Sequence, residues 1–426
     1  MTRVLGRAAA AAVLAGAALL AAVAWLNLRD EDALVADVGG ATSPELIARG
    51  AYLARAGNCI GCHTARGGAA YAGGRGVPTP FGTVFAPNLT PDPQTGLGRW
   101  SASEFWRALH NGRSRDGRLL YPAFPYPNYT RITRADSDAI HAYLRSLPAV
   151  VQPNRAHTLQ FPFDRQAALA VWRALYFRPA RPQQPDTQRS AAWNRGAYLV
   201  EGLGHCNACH ASRNALGATT GPLDLAGGLI PVQNWYAPSL ASPLEAGVAD
   251  WDDADIVALL RTGVSRRGAV MGPMGEVVAG STQHLSGPDL QAIASYLKAL
   301  PQTAAARPAA PPIRDATAMG PGAPLYETHC LACHGEHGEG VPGIYPALAG
   351  SRAVTMPSVA NLVHLVLEGG FPPATAGNPR PYGMPPFATV LGDAELAQLL
   401  TTIRTSWGND AEPVTPHDIA RLRRVP

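Results

Sequence analysis

The first long apolar run is an uncharged stretch from Ala8 to Leu28. Arg3 and Arg7 precede it and Arg29-Asp30-Glu31-Asp32 follows it. That order of charge is the pattern of an export signal. Its length approaches a membrane span, with Trp25 near the outer boundary. Ala22-Val23-Ala24 offers a small-x-small cleavage site, but the length of the run favours an N-terminal hydrophobic helix that stays as an anchor over a removed signal peptide. Further on, apolar residues recur three and four apart. Thr133-Arg134-Ala135-Asp136 and Ser286-Gly287-Pro288-Asp289 have the shape of capped helix starts. They open segments carrying Ile140, Tyr143, Leu144 and Ile293, Tyr296, Leu297, so each predicts a helix with one buried face, stopped by Pro148 and Pro301. A third such helix is predicted from Asp393 to about Trp407.

These helices close the copies of an internal repeat. Arg49-Gly50-Ala51-Tyr52-Leu53 returns as Arg195-Gly196-Ala197-Tyr198-Leu199, and Leu325-Tyr326 holds a similar place in a third copy. Tyr71-Ala72-Gly73-Gly74 matches Leu225-Ala226-Gly227-Gly228, and Ala86-Pro87-Asn88-Leu89 matches Ala237-Pro238-Ser239-Leu240. Short helices opened by tryptophan follow, Trp100 to Gly112 and Trp251 to Gly263. The pattern predicts an all-α fold of three tandem domains at 40–150, 190–302 and 319–410, with loop-rich connections. Residues 1–28 form the signal or anchor. Residues 151–189, with Phe161-Pro162-Phe163, Trp172 and Phe177, form an ordered connector or docking surface. The Pro/Ala-rich run at 303–318 is a stiff linker, and 411–426 is a surface tail.

Composition narrows the class. The 426 residues are 46% hydrophobic and 15% charged, enough for packed cores. The 44 Gly and 39 Pro fit loop-rich domains without a collagen period. A formal charge of +4 over this length is too dilute for nucleic-acid binding.

Cysteine placement carries the chemistry. All six cysteines fall in Cys59-Ile60-Gly61-Cys62-His63, Cys206-Asn207-Ala208-Cys209-His210 and Cys330-Leu331-Ala332-Cys333-His334. Cys-x-x-Cys-His is the attachment pattern of c-type haem. Two thiols reach two vinyl groups on one porphyrin edge, and the adjacent His turns its imidazole under the iron. A thioredoxin-like pair would not need the His, and a zinc site would want a second cysteine pair close by. Three covalent haem c groups are therefore expected, and covalent attachment puts the chain on the periplasmic face of the bacterial cytoplasmic membrane.

Sixth ligands set the character of each iron. Met274, in Gly272-Pro273-Met274, and Met384, in Tyr382-Gly383-Met384-Pro385-Pro386, sit in proline-glycine loops before the closing helices and are the expected distal ligands, with Met271 as the fallback for Met274. The first copy departs from this pattern. Its loop is Tyr121-Pro122-Ala123-Phe124-Pro125-Tyr126, and no methionine lies between Met1 and Met271. The first haem then has His63 plus either His110 or no protein ligand. His141 and His157 are further candidates, and the alternative for His110 is a solvated helix-terminal residue.

The ordered series of motifs, including Asn88-Leu89-Thr90-Pro91-Asp92 and Leu120-Tyr121-Pro122-Ala123, resembles the tri-haem cytochrome c subunits of bacterial membrane-bound periplasmic dehydrogenases over residues 40 to 408. The resemblance implies three class I cytochrome c domains. It also implies a large catalytic partner carrying molybdopterin, pyrroloquinoline quinone or flavin, a possible small third subunit, and delivery of electrons to membrane ubiquinone or a terminal oxidase. The Phe124 loop, Phe161-Pro162-Phe163 and the run from Gly204 to Asn214 look more like subunits paired with molybdenum hydroxylases that oxidise aldehydes or heteroaromatic compounds. No paired carboxylates, nucleophile triad or phosphate loop stands out, so no catalytic residue is assigned and substrate chemistry belongs to the partner. The competing classes are a haem peroxidase, which would need a distal acid–base group, and a free tri-haem electron carrier.

Overall fold

The computed structural model describes residues 2–29, 31, 42–180, 184–221, 223–303 and 320–423. The linker expected at 303–318 lies outside them apart from its first residue, as do Asp30 and Asp32. The helices in chain order are α1 (Thr2–Leu28), α2 (Pro44–Ala56), α3 (Cys59–Cys62), α4 (Ala102–Asn111), α5 (Tyr126–Tyr129), α6 (Arg134–Ser146), α7 (Gln166–Tyr176), α8 (Ala191–Ala197), α9 (Asn207–His210), α10 (Asp253–Thr262), α11 (Pro273–Gly280), α12 (Gly287–Lys298), α13 (Ala323–His329), α14 (Leu331–His334), α15 (Arg352–Thr355), α16 (Ala360–Glu368), α17 (Asp393–Thr405) and α18 (Pro416–Arg423). They pack into two compact units. One comprises 1–54, 62–184 and 215–218; the other comprises 55–61, 185–214 and 219–426.

In the first unit, α2 crosses α6. Thr133 caps α6 by accepting from the Asp136 backbone N–H at 3.2 Å, and Asp136 in turn takes Arg49 Nε at 2.8 Å. At the crossing, a Cβ on Gly50 would collide with the Ala139 carbonyl, so glycine is what lets the helices touch. The repeated Arg-Gly-Ala-Tyr-Leu thus has a structural meaning: arginine clamps the closing helix and glycine admits it. α4 starts at Ala102, two residues after the tryptophan. Ser101 and Glu104 form a reciprocal capping box, so Trp100 stays outside the helix. The helix ends at Gly112, which is left-handed (φ 59°) and lies against the Tyr126 ring. α1 is long and apolar enough to cross a membrane. Its last turn is seated on α7, where Asn27 Nδ2 donates to the Ala170 carbonyl at 2.9 Å and Arg173 Nε donates to Asn27 Oδ1 at 2.9 Å.

The second unit repeats the crossing. Ser286 caps α12 by accepting from the Asp289 N–H, Asp289 receives Arg195 Nε and Nη2 at 2.8 Å each, and a Cβ on Gly196 would collide with the Ala292 carbonyl. α8 runs on through a π-helical turn at Tyr198–Leu203, a widening the sequence does not announce. Between α13 and α17 the arginine is gone but the glycine remains. Gly322 N–H donates to Thr402 Oγ1 at 3.0 Å, and its missing Cβ would stand 2.5 Å from the Gln398 carbonyl.

Two expectations need correction. The architecture is helical but not purely so, because the glycine-rich loops pair into short antiparallel ladders. β1 (Gly76–Thr79) pairs with β2 (Gly82–Phe85), which pairs with β3 (Thr158–Leu159), in register Val77 to Val84 and Thr83 to Thr158. Two-residue ladders also join Gly228–Leu229 to Tyr236–Ala237 and Val264–Ser265 to Gly268–Ala269. The tail after residue 410 is not surface. Val414, Ile419 and Leu422 are buried in the α13–α17 core, and Arg404, 1% exposed, donates Nε to the Glu412 carbonyl at 2.9 Å. The alternation of apolar residues over this segment is too short to have shown it.

Candidate functional site

Each Cys-x-x-Cys-His segment ends in a small closed frame. His63 Nδ1 donates to the Pro87 carbonyl at 2.8 Å, His210 Nδ1 to Pro238 at 2.7 Å and His334 Nδ1 to Pro346 at 3.0 Å. A glycine ties the other side. Gly73, Gly227 and Gly340 donate their N–H to the carbonyls of His63, His210 and His334 at 2.8, 2.9 and 2.8 Å. All three glycines are left-handed, with φ of 78°, 82° and 64°. A Cβ on Gly73 would stand 2.5 Å from Pro87 C, on Gly227 2.6 Å from Ser239 N just after Pro238, and on Gly340 2.8 Å from Pro346 C. The frame can therefore be built only with glycine, and the proline carbonyl is held where it fixes the histidine ring.

The tautomer follows. With Nδ1–H committed to a carbonyl, the Nε2 lone pair is the ring's remaining acceptor, the arrangement that orients and strengthens an imidazole as a metal ligand. Burial lowers the pKa of all three histidines, with the carbonyl bond opposing it, which favours the neutral ring a metal needs. None of the six cysteines forms a disulfide. Burial, and then the neighbouring Cys209, push the Cys206 thiol up to about 12; burial and Cys333 push Cys330 up to about 11. A dithiol redox site needs the reverse shift. Among the described residues no group of three or more His, Cys, Asp or Glu could hold a bare metal ion. The residues thus fit covalent haem.

Sequence alone gives the prolines and glycines of these frames no role. Two of the three pairs are legible as repeats, Gly73 with Pro87 and Gly227 with Pro238. The Gly340–Pro346 pair lies in a shorter loop that hides the correspondence.

The remaining candidates are placed as follows. Met274 lies in the first turn of α11, just after Gly272 (φ 58°), whose missing Cβ would stand 2.8 Å from the Trp235 ring. Met384 is half-buried against the α13–α17 core. It pairs with Gly370 through both backbone groups, Met384 N–H to Gly370 O at 2.8 Å and the return bond at 2.9 Å. Met271 leans toward Gly370, its Cε 3.6 Å from the Cβ position there. Phe124 packs on Tyr129 with ring centroids 5.4 Å apart. His110 is 6% exposed and stacks on Trp106 at 4.4 Å, with Nδ1 3.5 Å from Thr130 Oγ1, so the solvated helix-end alternative is excluded. His141 is buried against Phe105. His157 Nδ1 accepts the Phe85 N–H at 3.1 Å.

Helical packing around repeated Cys-x-x-Cys-His frames defines a c-type cytochrome, and the cytochrome c family model matches residues 47–148 and 320–407. The chain is 38% identical over 394 residues to the cytochrome c subunit of quinone alcohol dehydrogenase from Gluconacetobacter polyoxogenes, covering 89% of this chain and 84% of that protein. It is 36% identical to the gluconate 2-dehydrogenase cytochrome c subunit of Pantoea cypripedii, over 89% of this chain and 90% of that protein. It is 42% identical to a nicotinate dehydrogenase subunit of Pseudomonas putida, over 93% of this chain but 33% of that longer protein. The chain belongs to the family of cytochrome c subunits of membrane-bound dehydrogenases.

Proposed function

We propose that this chain is a tri-haem electron-transfer subunit held at the periplasmic face of the bacterial cytoplasmic membrane by α1, and that it passes electrons from a dehydrogenase catalytic subunit to membrane ubiquinone or a terminal oxidase. The observation that carries the reading is the threefold recurrence of one frame: a motif histidine with Nδ1 on a proline carbonyl and its own carbonyl on a left-handed glycine. Bound haem would supply one-electron iron chemistry. The chain supplies the rest. Cys59 and Cys62, Cys206 and Cys209, and Cys330 and Cys333 attach it, while His63, His210 and His334 present Nε2. Met274 and Met384 serve as the distal ligands of the second and third sites. The first site takes His110 or no protein ligand, because Phe124 stands where the other loops offer methionine.

The relative named as a nicotinate dehydrogenase subunit, together with the Phe124 loop, supports a partner that oxidises aldehydes or heteroaromatic compounds with molybdopterin. The alcohol and gluconate dehydrogenase relatives favour a second reading, a partner using pyrroloquinoline quinone or flavin. Either reading includes a small third subunit in the complex. Purification through this chain from native membranes in mild detergent, followed by mass and cofactor analysis, tests the reading. Three haems on the chain and a molybdenum-containing large subunit are expected. Quinone or flavin in the partner selects the second reading, and a haem count other than three overturns the site assignment.

A further inference from the structure

The connector helix α7 is apolar on both sides. Leu169, Arg173 and Phe177 face the core of the first unit, at 5%, 3% and 4% exposure. On the opposite face Ala167, Val171 and Leu175, each one turn further along, form an exposed stripe, with Val171 47% and Leu175 64% exposed. An apolar helix face needs a cover; Ala167 borders a groove against α1, and Val171 and Leu175 have no cover among the described residues.

Its position identifies the cover. α7 lies against the end of α1, and Leu20, Val23, Ala24, Asn27 and Leu28 form one wall of a groove whose other wall includes Ala167 and Ala170. The Asn27 amide fixes the pairing on the Ala170 carbonyl. At 1.5 Å per residue α1 is roughly 40 Å long, about 10 Å more than a hydrocarbon core. With Arg3 and Arg7 on the inner side, residues 2–7 take up that surplus and the uncharged run Ala8–Leu28, roughly 32 Å, spans the core, which puts Trp25 and Asn27 at its outer edge beside the outer headgroups. Whatever touches Leu20 and Val23 lies at or just below that level, so the α7 stripe continues the lipid-facing surface of α1. Exposed Arg178 follows it, placed for lipid phosphates.

We infer that α7 is an interfacial helix, with Ala167, Val171 and Leu175 embedded in the outer leaflet beside α1. The inference rests on the reading of α1 as a retained membrane span.

The test uses the full haem-loaded chain in vesicles of phosphatidylcholine and phosphatidylglycerol at roughly three to one. Nitroxide labels are attached at Val171→Cys, Leu175→Cys, Leu14→Cys within α1, and Asp116→Cys on an exposed turn, with the parent chain as the blank. Accessibility to oxygen is compared with accessibility to a water-soluble nickel chelate. Labels at 171 and 175 are expected to show an oxygen-to-nickel ratio several-fold above that at 116. A ratio equal to that at 116 overturns the inference, and exclusion of both reagents overturns it in favour of a protein cover. If Leu14 reads as lipid while 171 and 175 do not, only the inference fails. If Leu14 also reads as water, the retained span fails and the inference falls with it.

Discussion

At each motif one glycine decides how near a proline carbonyl comes to the histidine ring. Gly227 holds φ 82° and gives its N–H to the His210 carbonyl, while its bare Cα lets Pro238 pass. Gly227→Ala imposes both a left-handed penalty and a clash with backbone that cannot rotate away. A loss of about 1–3 kcal/mol is expected, read as a lower urea midpoint. The Pro238 carbonyl retreats with it, so haem content by the pyridine haemochrome method falls as well. An unchanged midpoint would show that the frame relaxes freely. Tyr126 gives the first unit a different, pH-linked contribution. The side chain is fully buried, and burial pushes its hydroxyl up to about 12, with Arg173 opposing. An unfolded tyrosine ionises near 10. The folded form therefore keeps its proton longer, and the associated stability is complete below about pH 10 and lost as pH rises toward 12. On the order of 3 kcal/mol should disappear over that window. Tyr126→Phe should flatten the alkaline decline in urea midpoint while leaving the acid side unchanged.

Among the elements, the crossing of entry and closing helices is the recurring unit, and its copies are stabilised differently. In α8–α12 the Arg195 guanidinium forks onto Asp289, whose side chain is only 11% exposed, and α2–α6 repeats this with Arg49 and Asp136. α13–α17 has no such pair and uses Gly322 with Thr402. Arg195→Met leaves a largely buried carboxylate without its cation and should cost about 1–3 kcal/mol. The double variant with Asp289→Asn should recover part of that loss, measured as a coupling in a double-mutant cycle by urea denaturation. Additive losses would mean that the pair is only a surface contact. This crossing was the most legible part of the fold. Arg-Gly-Ala-Tyr-Leu and the Thr133 and Ser286 caps stand in fixed order, and a repeat separates signal from chance. The short ladders were not legible, because strands of two to four residues give too little alternation to read. Nor was the buried C-terminal segment, whose Val414, Ile419 and Leu422 are too few to mark a face. In the candidate site the cysteines and histidines were plain from spacing. The glycine–proline frame was visible as a repeat, but its purpose depends on a backbone angle and a carbonyl direction, which residue letters do not encode.

At the scale of the molecule, the second and third motifs share one compact unit, in which the apolar cluster around α13–α17 is built from buried residues between Tyr326 and Leu422, with Tyr236 packed against it. The seam between the two motifs is made by few side chains. Tyr236 N–H donates to Asn361 Oδ1 at 2.8 Å, and Asn361 Nδ2 returns a bond to the Tyr236 carbonyl at 2.7 Å. Trp235 stacks on His364 with centroids 5.5 Å apart, Arg352 pairs with Asp250 at 2.6 Å, and Thr375 Oγ1 reaches the Thr262 carbonyl at 3.2 Å. The seam also touches both methionine loops, since Trp235 lies against Gly272 and Met271 leans on Gly370, the partner of Met384. Each hydrogen bond contributes about 1 kcal/mol, the aromatic contact about as much, and the partly exposed ion pair less. A seam of a few kcal/mol is enough to make two small cores unfold together, but not if most of it is removed. Calorimetry of the haem-loaded chain should therefore show residues 185–303 and 320–423 melting in one transition. In the triple variant Trp235→Ala, Asn361→Ala, Arg352→Ala that transition should split in two, with the covalent haem content unchanged. A single undivided transition in the variant would mean that backbone packing alone, such as Pro373 over Gly263, couples the two cores.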